Sequence, residues 1–151
     1  MMKRRSWGII LLVLFLVGCY ANAQYTQRNQ LPERDSFQLD VQCEEGLKPG
    51  DTGEIAVSLE NTGEQDYFLD YTNLFVVSVD GKQITPQEDG TDGWALPGGD
   101  EVSEDYEFVA GKPGKHKVVV QAQFQIQNQA GDSRSYRYEE KTWVEVMQDE
   151  K

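Results

Sequence analysis

Two cysteines and one histidine are all that this 151-residue chain offers toward disulfides, thiolate metal sites or imidazole chemistry. Cys19 and Cys43 cannot build a disulfide framework, so a hydrophobic core must hold the fold together. Sites that hold zinc through several histidines are excluded. A Ser-His-Asp arrangement would depend on His116 alone, beside a Pro-Gly turn and with no nucleophile partner in view. Cations are scarce too: 14 Lys+Arg stand against 26 Asp+Glu, a net charge of −12. Three of the cations, Lys3, Arg4 and Arg5, lie in the first five residues, no acidic residue comes before Glu33, and without those three cations the charge is −15. A surface that negative repels phosphate backbones and anionic headgroups, which excludes nucleic acid as a partner. Gly50, Gly53 and Gly63 are followed by no Lys-Ser/Thr pair and open no helix, so they form no phosphate cradle. The longest apolar run, Gly8 to Val17, is ten residues, about half of what a transmembrane helix needs.

What is present begins with an export signal. Met1 to Arg5 is a positive n-region, the apolar run follows, and small and polar residues come next, the order of a signal peptide. Two processing sites compete. Leu16-Val17-Gly18-Cys19 resembles the lipobox of bacterial lipoproteins, in which cleavage before a diacylglycerol-bearing cysteine makes Cys19 the membrane anchor. Ala21-Asn22-Ala23 fits an ordinary small-x-small site with cleavage after residue 23, which would release the protein. Tyr20 is not the aspartate that retains lipoproteins in the inner membrane of Gram-negative bacteria. The signal thus covers residues 1–18, or 1–23 for the alternative cut, and the protein is expected at the cell surface or in the periplasm, or else secreted.

Residues 19–34 are polar without an apolar period beyond the signal and read as a flexible tether; 148–151 form a short polar tail. Between them, in 35–147, period-two alternation recurs and no 3.6-residue apolar stripe is sustained, so the domain is all-β. In Ser36 to Cys43, Phe37, Leu39, Val41 and Cys43 share the core face. Ile55, Val57 and Leu59 point inward in the next strand, which ends at Asn61-Thr-Gly63. Asp80-Gly81 is a type I′ hairpin signal. Gln87 to Asp100, rich in Gly and Asp with Trp94 and Leu96 as apolar anchors, is expected as the longest loop. The two longest strands come last: Val118, Val120, Ala122, Phe124 and Ile126 face in, then Tyr136, Tyr138, Thr142, Val144 and Val146. The spacing predicts an immunoglobulin-like β-sandwich of seven to eight antiparallel strands, without the B–F disulfide of antibody domains.

The turn chemistry carries a resemblance. Leu47-Lys-Pro-Gly leading into a strand that closes at Asn61-Thr-Gly63, Leu96-Pro-Gly-Gly, and Lys112-Pro-Gly opening a late strand resemble the bacterial extracellular Ig-like domains of the CARDB (cell-adhesion-related) type and of lipoproteins, across residues 36–146. That resemblance implies a fold and no catalytic residues.

Two constellations are candidate sites. Glu88, Asp89, Asp92 and Asp100, with Glu101, Glu104 and Asp105 following, could supply the oxygen ligands that calcium requires, although no EF-hand spacing is present and Asp-Gly loops commonly serve as turns; no other cofactor is indicated. Gln121, Gln123, Gln125 and Gln127 form an uncharged ladder which, with Arg137 and Trp143 on the neighbouring strand, offers a flat hydrogen-bonding surface to a glycan or peptide, or simply the solvent side of a hairpin. Trp143 points outward, where a lone indole calls for cover by the tether or a loop. The function expected is a non-enzymatic, envelope-anchored module that binds a protein or envelope component. The alternative is an exported hydrolase or protease inhibitor acting through the 87–100 loop.

Overall fold

The computed structural model describes residues 30–85 and 92–148. It divides the chain into two units, Met1–Leu31 with Gln127–Ser133, and Pro32–Ile126 with Arg134–Lys151. The second unit is an all-β sandwich.

After a single 3-10 turn at Arg34–Ser36, nine strands follow among the described residues: β1 (Phe37–Cys43), β2 (Thr52–Asn61), β3 (Tyr67–Asp70), β4 (Phe75–Val79), β5 (Lys82–Ile84), β6 (Gly93–Leu96), β7 (Glu101–Val109), β8 (Gly114–Gln127) and β9 (Ser133–Val146). One sheet has the order β1-β2-β7; the other runs β5-β4-β8-β3-β6, with β9 also paired to β8. The pairs whose register is resolved are antiparallel. β8 is the organising strand of the larger sheet, because β4 pairs with it from Val118 to Ala122 and β3 reaches it at Gln125.

Alternation becomes burial as the pattern requires. Ile55, Val57 and Leu59 are buried on β2, and Val118, Val120 and Ala122 on β8; burying a branched side chain stabilises the fold by roughly 1.5–3 kcal/mol. At one end Phe37 fits edge-on against Phe124, centroids 5.1 Å apart, and Phe124 stacks on Tyr136 at 5.3 Å. Edge-to-face and stacked pairs of this kind add about 0.5–1.5 kcal/mol beyond area burial. The two sheets are also linked through Tyr106, whose hydroxyl donates to Glu104 at 2.7 Å and reaches the Phe75 carbonyl at 3.4 Å.

The β4–β5 hairpin turns on Asp80 (φ 49°) and Gly81 (φ 81°), the two left-handed residues of a type I′ turn. In the first unit, the described hairpin tip is closed by Asn128, whose N–H donates to the Asp132 carbonyl at 2.9 Å and whose Oδ1 accepts from the Asp132 N–H at 2.8 Å.

Three expectations change. The stretch 87–100 is not one loop: Gly93–Leu96 forms β6 against β3, and Leu96 is fully buried, because one core-facing leucine is enough to hold a four-residue strand on a sheet edge. With β6 the strands among the described residues number nine, against seven to eight expected. Cys43, expected on the core face, is only half-buried, since β1 is an edge strand and its last residue lies at the sheet corner; burial pushes its thiol pKa up. The described part of the segment read as tether is packed from Pro32 onward: the Pro32 carbonyl accepts from Tyr136 Oη at 2.7 Å and Arg134 Nη1 at 3.1 Å, and the Arg34 carbonyl accepts from Tyr138 Oη at 2.7 Å.

Candidate functional site

The outward face of β8 and β9 carries the ladder singled out above. Gln121 is its hub. Its Nε2 donates to Glu139 Oε2 at 2.8 Å, and its Oε1 accepts from Arg137 Nη2 at 2.9 Å and from Gln123 Nε2 at 3.3 Å. Lys141 completes the group through a 2.6 Å ion pair with Glu139; this cation, then the Gln121 amide, hold the Glu139 carboxyl below the usual carboxylate range. Gln121, Gln123, Arg137 and Glu139 are therefore one connected network. Gln125 stands opposite Asp70 of β3. Gln127 belongs to the hairpin tip, where its amide donates to the Gly131 carbonyl at 3.2 Å. Trp143 is 58% exposed.

The other sheet has an outward face that the sequence reading did not assemble. Pairing places Glu101 beside Glu60 beside Gln38, Ser103 beside Ser58 beside Asp40, and Asp105 beside Ala56 beside Gln42. Glu54 and Glu107 extend the acidic rows. The alternation of Asp40, Glu60 and Glu101 was legible in each strand, but the partnership of β2 with β7, far apart in sequence, was not. Small side chains on the middle strand leave a shallow trough of about 320 Å³ lined by Asp40, Ser58, Glu60, Glu101, Ser103 and Asp105.

The single histidine is committed to structure. His116 Nδ1 lies 2.6 Å from Asp80 Oδ2 and Nε2 lies 2.6 Å from the Lys112 carbonyl. Both partners are acceptors, so the geometry suits the doubly protonated ring, in which both nitrogens donate. The Asp80 bond first, then the Lys112 carbonyl, raise the pKa of His116; the same bond lowers that of Asp80, helped by the Lys117 N–H.

Of the proposed calcium ligands, Glu88 and Asp89 lie outside the described residues, as does the anchor candidate Cys19. The carbonyl of Asp92 accepts from the Tyr71 N–H and that of Asp100 from the Asn61 N–H. Among the described residues no three His, Cys, Asp or Glu side chains gather where they could hold a metal ion, and no helix is long and apolar enough to cross a membrane.

No protein-family model matches the sequence, and no curated protein does. Among solved structures the chain is similar to the ASH/PapD-like domain 7 of human CEP192, at 12% identity and a TM-score of 0.43, covering 80% of this chain and 92% of that one. It is also similar to ycdA, a lipoprotein candidate of Bacillus subtilis, at 13% identity and a TM-score of 0.37, covering 71% of this chain and 37% of that protein.

Proposed function

We propose that the chain is a non-enzymatic, exported interaction module, anchored to a bacterial cell envelope by a lipid on Cys19, that binds a protein or envelope component through the outward face of its larger sheet. The observation that carries the binding role is Trp143, an exposed indole on the strand whose Arg137 and Glu139 are already fixed by Gln121. Tryptophan and arginine dominate interface energetics, and side chains ordered in advance lose less entropy on binding. The anchoring role rests on the signal anatomy and the lipobox-like Leu16-Val17-Gly18-Cys19; the CARDB-type turns agree with an extracellular module. The non-enzymatic reading is supported by His116, the only histidine of the chain, whose two nitrogens are both occupied and so leave no free base.

The test is affinity capture from the native envelope with the full chain and with Trp143→Ala and Arg137→Ala variants. A partner held by the native protein and lost by about tenfold or more in either variant supports the face; unaltered capture overturns it. The mass of the mature N-terminus tests the anchor: it should begin at a lipid-modified Cys19, whereas an unmodified Gln24 terminus means release.

A further inference from the structure

β7 is an edge strand. Among the described residues it is hydrogen-bonded to β2 along one side only, so alternate main-chain N–H and C=O groups on its other side face away from the sheet; towards its end Glu107–Val109 share a pocket with Lys82 and Ile84 of β5. At nine residues, Glu101–Val109, it is long for an edge. It contains no proline, lysine or arginine; the charges that keep such an edge from pairing indiscriminately are all acidic here, Glu101, Asp105 and Glu107 outward and Glu104 inward. An edge of this kind is a template for another chain.

Its register defines which chain. Glu101, Ser103, Asp105 and Glu107 are exposed, and the rows behind them continue through Glu60, Ser58, Ala56 and Glu54 to Gln38, Asp40 and Gln42. No lysine or arginine occurs on β1, β2 or β7. The ion pairs His116–Asp80 and Lys141–Glu139 belong to other elements. A second copy of the chain is a poor occupant: antiparallel pairing of two β7 strands would set acidic side chains against acidic side chains, and like charges facing each other across a ladder destabilise it.

We propose that the free edge of β7 accepts an extended segment of a partner protein with lysine or arginine at alternate positions. The segment adds as a fourth strand, main chain against main chain, and its cationic side chains lie over Glu101, Asp105 and Glu107 and reach the trough between β1 and β7. Alternate residues of a strand are about 6.5 Å apart on one face; Asp105 and Glu107 stand one such interval apart, and Glu101 and Asp105 two, with Ser103 between them. Main-chain bonds then supply affinity and the charge pattern supplies selectivity. This surface is separate from the Trp143 face and does not depend on it.

A seven-residue peptide alternating lysine and valine is the probe, titrated into the full chain by calorimetry while β7 amides are followed by hydrogen exchange. The expected result is saturable binding, new protection of β7 amides, and about tenfold weaker binding in Glu101→Gln/Asp105→Asn/Glu107→Gln, since three exposed charge pairs are lost. Raising the salt concentration should weaken binding to the native protein, a readout that requires no variant to fold. A peptide of the same composition in D-residues alternating with L-residues, which cannot extend the ladder, should bind much more weakly. Equal binding by that control, no change in β7 protection, or binding indifferent to salt overturns the proposal.

Discussion

The carboxylate of Asp80 and the imidazole of His116 meet at 2.6 Å, joining the β4–β5 turn to the β7–β8 turn, because His116 holds the Lys112 carbonyl with its other nitrogen. Asp80 Oδ1 also accepts from the Lys117 N–H at 2.9 Å and the Asp80 N–H donates to the Lys117 carbonyl at 2.8 Å, so four bonds gather at the turn of one hairpin.

The linkage has a definite sign. The pKa of His116 is raised from its ordinary 6.5, so its contribution is complete below pH 6.5 and is lost as pH rises through the folded value. That of Asp80 is lowered from 3.8, so its contribution is complete above pH 3.8 and is lost as pH falls through the folded value. The pair is worth most between those two ordinary values. Replacing His116→Gln should cost up to about 1 kcal/mol there, screening by solvent keeping it small. The difference in urea midpoint between native protein and variant should shrink as pH rises above 6.5 through the folded value; a pH-independent difference would contradict the charged pair.

Asn61 is the buried polar side chain at the end of β2. Its Nδ2 donates to the Gln65 carbonyl at 2.7 Å and to the Leu96 carbonyl at 3.2 Å, while its Oδ1 accepts from the Gly63 N–H at 3.1 Å. One amide thus fixes the turn after β2 and ties it to β6. Asn61→Ala removes all three bonds and leaves buried groups unpaired, at an expected cost of about 2–3 kcal/mol. Denaturant unfolding measures it, and a loss under about 0.5 kcal/mol would show that water replaces the amide without penalty.

Tyr136 and Tyr138 fasten the backbone of residues 32–34. Burial pushes the Tyr138 hydroxyl up to about 12, so it remains a donor throughout the physiological range. Tyr136→Phe/Tyr138→Phe keeps both rings and deletes both bonds, each worth about 1 kcal/mol. Trypsin should then cut after Arg34 markedly faster while global unfolding shifts by only about 1–2 kcal/mol. An unchanged cleavage rate would mean that packing of Pro32, not the hydroxyls, holds the segment.

Much of the sandwich was legible because burial here follows parity. Val118 through Ile126 and Tyr136 through Val146 alternate over long strands, and a half-buried sheet must read that way. Asp80-Gly81 was legible because few residue pairs accept two left-handed conformations. β6 was not, since four residues around one buried leucine carry no period and neighbouring Gly and Asp look like a turn. The glutamine network was partly visible: Gln121, Gln123 and Arg137 come together as their parity implies, but Gln127 bonds within the hairpin tip. The acidic face was invisible as a unit, because Asp40, Glu60 and Glu101 become neighbours only through strand pairing across long loops, which no local pattern encodes.

The central position of β8 also sets a timetable. β3 with β6, and β4 with β5, are short pairs whose place in the larger sheet is on β8, and small isolated hairpins are marginal in water. β2 likewise waits for β7. Neither sheet can therefore close until most of the polypeptide has been made, and folding dominated by such distant pairings takes milliseconds to seconds. For a chain proposed to leave the cytoplasm, the sandwich therefore stays open while most of it is being made.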